Sequence, residues 1–218
     1  MQKRLFVVAK QPAAGQTKTR LCPPLTGETA AALYECFLRD TLDTLRAVPG
    51  VSRTIVHWPA ESETYFRELA PDLNLQLQSG ADLGARLDRL LSDAIADGAA
   101  QAVVMSSDSP NVPAAYVAQA FDLLDDGYDL ALGPCDDGGY YLIGLKQPQP
   151  RLFHEVRMST PDVVQDTLVI AAELGLRVGL TPLWYDVDTI DDLERLRTDL
   201  ETVAPDVARH TRRFIAKL

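Results

Sequence analysis

"RLFVVAKQPAAGQTKTRLCPPLTGETAAALYECFLRD", residues 4–40, sets the plan of the chain. Its apolar start reads as a buried strand over 4–9. Its end reads as a helix, because Leu33, Phe37, Thr41, Leu45 and Val48 recur at helical spacing. Thr26 can cap that helix, and Pro49 with Gly50 stops it. Between strand and helix, Lys10, Lys18 and Arg20 share a loop with Gly15. In a parallel sheet such a loop lies beyond a strand's carboxyl end, which is where open α/β sheets bind ligands.

The alternation continues outward. Strands are expected at 53–58, at 74–78, in the run ending at Met105, at 128–134 and at 138–146. Helical patterns fill 62–70, 81–98, 114–127 and 161–175 between them. In the second of these, Leu83, Leu87, Leu90, Leu91 and Ile95 make one stripe. An extended stretch over 177–188 leads into helices at 189–203 and 205–218. This order predicts one α/β domain over 1–218, with a mostly parallel central sheet flanked by helices. The stretch "GPCDDGGYYLIGL" leaves no room for a crossover helix, so one part of the sheet should be antiparallel.

The net charge of −10 and a pI near 4.7 argue against nucleic acid as a partner, since that needs a broad basic surface. The five-residue run "LFVVA" near the start is too short for a signal or a membrane span, so neither membrane association nor export is expected. Cys22, Cys36 and Cys135 show no metal spacing and suit a reducing, cytoplasmic setting.

Four strand ends carry the polar candidates. Lys10, Lys18 and Arg20 offer charge-assisted bonds to an anion, and Gly15 allows close backbone approach; a solvated basic loop is the alternative. Asp108 in "SSDSP" is placed for a hard cation, or for a turn before the next helix. Asp186 and Asp188 alternate in "YDVDT" and should share a face, although Asp188 could instead cap a helix. Asp136 and Asp137 precede Gly138 and Gly139, where the chain either turns sharply or lies against a ligand. In "GADLGAR", Asp82 resembles an N-cap, and Gly84 in a first helical turn hints at close approach by a ligand.

Together "AKQPAAGQTKTRL", "GADLGARL", "SSDSPNVP", "GPCDDGGYYLIGL" and "YDVDTIDDL" resemble a family of small bacterial GT-A-type transferases (DUF2064-like). Some of its members are described as glycosyltransferases of arsenosugar biosynthesis or as transferases associated with radical-SAM gene sets. The resemblance runs from residue 4 to about 197. It implies a GT-A, Rossmann-like fold of the nucleotide-diphospho-sugar transferase superfamily. It also implies Mg²⁺ or Mn²⁺ on Asp108 and Asp188, with Lys18 and Arg20 meeting the phosphates of a nucleotide; Lys10, Gly15, Asp82 and Arg86 are the further nucleotide-binding candidates. Asp137 and Asp188 are the catalytic candidates. The sequence departs from the usual Asp-x-Asp pattern, with Ser109 and Pro110 after Asp108.

The expected reaction is glycosyl transfer from a nucleotide sugar to a small-molecule acceptor. Nucleotidyl transfer from a nucleoside triphosphate and nucleotide binding without turnover are the alternatives. The last segment has an apolar edge of Val207, Phe214 and Ile215, which either packs on the sheet or makes a homodimer.

Overall fold

A computed structural model describes residues 2–218. Seven strands form one sheet in the order β3-β2-β1-β4-β6-β5-β7. They are β1 (Gln2–Lys10), β2 (Ser52–Trp58), β3 (Asn74–Leu77), β4 (Ala99–Met105), β5 (Leu130–Pro134), β6 (Tyr140–Leu145) and β7 (Val178–Leu180). Every ladder is parallel except those of β6, which runs against both β4 and β5. The tight connection over 135–139 enforces that reversal, as expected.

Among the described residues, eight α-helices cover the sheet: α1 (Gly27–Ala47), α2 (Glu63–Leu69), α3 (Leu83–Ala96), α4 (Ala114–Asp125), α5 (Arg151–His154), α6 (Val163–Glu173), α7 (Ile190–Thr202) and α8 (Arg209–Ile215). Alternation along the strands builds two cores. Leu5, Val7, Val103 and Met105 face α1, α2, α4, α7 and α8. Phe6, Ala102, Val104 and Ile143 face α3, α5 and α6. Tyr140 and Tyr141 divide likewise, one to each side.

Local chemistry sets several boundaries. Thr26 caps α1 by accepting from the Thr29 amide at 3.2 Å. Thr189 caps α7 in a reciprocal box with Asp192, so the cap reading of Asp188 falls away. Gly138 adopts φ +89° in the 135–139 turn, so the glycine pair there makes a sharp turn. The last helix is shorter than its pattern suggested. It is anchored by Asp40 of α1, whose oxygens accept from the His210 and Thr211 amides at 2.9 and 2.8 Å. Ile215, Phe214 and Val207 pack against the chain's own core, which accounts for the apolar edge. No described helix is long and apolar enough to cross a membrane.

The chain leaves β1 for β2 and β3 on one side, then returns to place β4 on the other. A crevice therefore opens where the carboxyl ends of β1 and β4 diverge.

Gly84 corrects the reading of "GADLGAR". A Cβ at this position would lie 2.2 Å from the Phe153 carbonyl oxygen, so the close neighbour is α5 of the chain itself. In an open helix Gly→Ala stabilises by about 1 kcal/mol. Here Gly84→Ala should destabilise by about 1–3 kcal/mol, because packed backbone must shift. A lowered urea midpoint measures the effect, and an unchanged or raised one contradicts it.

Candidate functional site

The crevice at the sheet's switch point is a cavity of about 430 Å³. Lys10, Lys18, Arg20, Arg86, Asp108 and Asp188 all line it, so six of the nine candidates meet there. A second cavity of about 510 Å³ adjoins it, lined by Asp137, Tyr140, Asp186, Asp188 and the 158–161 segment. The two share Arg20, Leu83 and Asp188 as a common wall.

Lys18 is the centre of this arrangement. Its Nζ lies 2.5 Å from Asp108 Oδ1 and 2.8 Å from Asp188 Oδ1, with only 5 % of the side chain exposed. Burial lowers the affinity of this amine for its proton, but the two carboxylates outweigh it and the pKa rises well above the ordinary lysine value. The residue sits at φ +49°, ψ 40°, a left-handed conformation that costs a non-glycine residue about 1–3 kcal/mol. Arg20 Nη1 reaches Asp188 Oδ2 at 3.2 Å and is largely exposed. The first cationic loop and the acidic strand ends thus bind one another directly.

The surrounding groups hold this geometry. The Val187 amide donates to the Asp108 carbonyl at 2.9 Å, tying the end of β4 to the extended segment that carries Asp188. Tyr34 of α1 shares a 2.8 Å hydrogen bond with Ser107 and accepts from the Lys10 amide at 3.3 Å. Burial, with Asp108 nearby, pushes its phenol up to about 12. Arg86 lies 4.7 Å over the Trp58 ring, its Nε donating to the Gly80 carbonyl. Asp137 Oδ1 accepts from the Gly139 amide at 2.8 Å.

Two candidates line neither cavity. Asp82 caps α3, accepting from the Ala85 amide at 2.8 Å. Gly15 takes φ +71° in the loop, a conformation that favours glycine. Tyr34, Ser107 and Gln78 join the first cavity without having been anticipated. Tyr34 had one signal, a hydroxyl on the buried stripe of α1. Gln78 had none.

Asp186 faces the second cavity, as its alternation with Asp188 suggested. Its carboxyl is pushed up to about 7 by burial and then by Asp108, against a hydrogen bond from Ser109 Oγ at 2.6 Å. Two carboxylates therefore hold one enclosed ammonium, and Asp186 lies buried within electrostatic reach of all three groups. That donor set, hard oxygens already converging on a cation, fits Mg²⁺ or Mn²⁺ on Asp108 and Asp188. Asp40, Asp43 and His210 also gather within 4.8 Å. Their oxygens are engaged otherwise: Asp40 holds α8, and Asp43 pairs with Arg46 and Arg209.

A carboxyl raised from 3.8 to about 7 keeps a proton in the folded state that the unfolded chain has lost. The contribution of Asp186 to the stability of metal-free protein should therefore fall as pH rises from about 4 to 7. Asp186→Asn should flatten that slope. Urea midpoints at pH 5 and 7 for both proteins check it, and equal slopes would remove Asp186 as the cause.

Comparison with other proteins gives the fold known relatives. No curated protein matches the sequence. A proposed nucleotide-diphospho-sugar transferase from Desulfovibrio desulfuricans G20 is 32% identical, with a TM-score of 0.93 over 100% of this chain and 95% of its own. The fold is shared with CMP:2-keto-3-deoxy-manno-octonic acid synthetase solved with CTP, at 12% identity and TM-score 0.57 over 93% of this chain and 99% of that one. It is shared also with Rv0371c of Mycobacterium tuberculosis solved with manganese, at 20% identity and TM-score 0.51 over 93% and 100%. The bacterial family described as "Uncharacterized protein conserved in bacteria (DUF2064)" matches residues 41–160, and this chain belongs to it.

Proposed function

We propose that residues 1–218 act as one catalytic unit, a metal-assisted glycosyltransferase that uses a nucleotide-diphospho-sugar donor on a small-molecule acceptor. One observation carries the reading: two ligand-sized cavities meet at a wall formed by Arg20, Leu83 and Asp188. The Desulfovibrio relative at 32% identity supports the donor class. The manganese in the Rv0371c structure speaks for the metal.

The first cavity takes the nucleoside diphosphate. Lys10, Lys18, Arg20 and Arg86 provide its cations, and an acidic chain concentrates them there. Mg²⁺ or Mn²⁺ on Asp108 and Asp188 would neutralise the diphosphate as a Lewis acid. The sugar lies across the shared wall, and the acceptor enters the second cavity. The acceptor oxygen bonds to the anomeric carbon while the bond from that carbon to the diphosphate breaks. Asp137 takes the acceptor's proton, its orientation fixed by the Gly139 amide. Lys18 and Arg20 meet the charge that develops on the leaving diphosphate. The second cavity has Asp137, Asp186 and Asp188 but only Arg20 as a cation. It suits a hydroxyl-bearing acceptor without phosphate or carboxylate.

The four cations of the first cavity equally suit a triphosphate, which favours nucleotidyl transfer as the second reading. Binding without turnover is the third.

A thermal-shift panel of nucleotide sugars and nucleoside triphosphates, with and without Mn²⁺, separates them. Ligand at a hundred times its dissociation constant adds about 2.7 kcal/mol, or roughly 5–10 °C for a chain of this size. Glycosyl transfer predicts the larger Mn²⁺-dependent shift with a nucleotide sugar. A larger shift with a triphosphate selects nucleotidyl transfer, and no shift with any of them rejects the site. With the donor identified, Asp137→Asn should lower kcat about 10²–10⁴-fold and leave KM for the donor nearly unchanged. An unaffected kcat would remove Asp137 as base.

A further inference from the structure

The nearest cation to the two metal-binding candidates is part of the chain itself. Lys18 Nζ bridges Asp108 Oδ1 at 2.5 Å and Asp188 Oδ1 at 2.8 Å. A divalent ion bridging those carboxylates at about 2.0–2.1 Å would have to compete for Asp188, whose Oδ1 is held by Lys18 and whose Oδ2 is held by Arg20. A divalent ion and an ammonium a few ångströms apart repel each other strongly where water is largely excluded. The ammonium is enclosed, with 5 % of the side chain exposed, and its backbone is left-handed. A strained residue with a buried charge stays where it is only when its surroundings hold it there.

We propose that the Lys18 ammonium is an internal counter-ion that occupies the divalent-cation position of Asp108 and Asp188 until phosphate arrives, so that metal and nucleotide enter as one complex. The inference rests on the metal-assisted reading of the same site. A metal arriving alone must strand the ammonium without an anion, inside a poorly solvated wall. A metal arriving on a diphosphate brings the replacement, because Lys18 lines the cavity that receives it. Lys18 then exchanges two carboxylate oxygens for phosphate oxygens and stays charged throughout. Arg20 can remain on Asp188 Oδ2 during the exchange. Linkage makes the effect reciprocal: nucleotide tightens metal by the factor by which metal tightens nucleotide.

The test is Mn²⁺ binding to the full chain, followed by the loss of the free-ion electron paramagnetic resonance signal, with no turnover required. Lys18→Met should bind Mn²⁺ alone at least tenfold more tightly than the wild type. Lys18→Arg keeps the charge and should bind it as weakly as the wild type. Asp108→Asn in the Lys18→Met background should abolish the gain. If Lys18→Met does not fold by circular dichroism, Lys18→Gln replaces it, since its amide can still donate to both carboxylates. No gain in the folded neutral variant, with Mn²⁺ binding still lost in Asp108→Asn, keeps the metal site and overturns the counter-ion. Mn²⁺ binding that survives Asp108→Asn overturns the metal site as well. A tight wild-type complex with Mn²⁺ alone would equally overturn the proposal.

Discussion

The contact of Lys18 with Asp108 and Asp188 joins three stretches that lie far apart in the chain: the loop after β1, the end of β4 and the segment before α7. All three residues line the first cavity, and Asp188 also belongs to the wall shared with the second. Stability alone is a poor explanation for it. Removing charges from water costs several kcal/mol each, and buried ion pairs often do no better than apolar residues of similar volume. Here the arrangement also carries a left-handed backbone and a third carboxyl, Asp186, that burial, and then Asp108, makes resist ionisation. A site that carries this much electrostatic and conformational strain is better understood by the ligand it receives.

The supporting structure is arranged to keep that contact in place. Tyr34 brings α1 onto Ser107 beside Asp108, and the Val187 amide fastens the neighbouring segment to the Asp108 carbonyl. Behind them, Asn111 donates to the Tyr185 hydroxyl at 2.8 Å, and that hydroxyl donates to Asp199 of α7 at 2.6 Å. These are largely enclosed hydrogen bonds, each contributing about 0.5–1.5 kcal/mol net. Their larger effect is to limit how far the two aspartates can separate.

Much of this was legible from local pattern. Strand ends followed by charge located Lys18, Arg20, Asp108 and Asp188, and the short hairpin announced the reversed strand. Long-range partnership was not legible. Lys18 reads as an anion ligand and Asp108 as a metal ligand; nothing local says that they bind one another. Gly84 misled for the same reason, since a missing Cβ signals a close neighbour without naming it, and the neighbour is the Phe153 carbonyl. Asp82 had both readings open and the cap is what the fold displays. Gln78 gave no hint, because its role comes from β3 ending beside β2, with its side chain donating to the Val56 carbonyl at 3.0 Å.

The reversal of β6 divides the molecule's labour along the chain. Apart from Asp188, every residue lining the first cavity comes from residues 8–108, the half that contains the parallel strands β1 to β4. The second cavity draws most of its lining from 137–163: the hairpin, the start of β6 and the segment that leads into α6. Because β6 runs backwards, its beginning rather than its end reaches the ligand edge, and the chain beyond it touches the first cavity and its walls, Asp188 against Lys18 and the Phe153 carbonyl against Gly84. A lineage of such proteins could therefore reshape the lining of the second cavity through residues 137–163 while the first keeps its charge, provided Asp188 still meets Lys18.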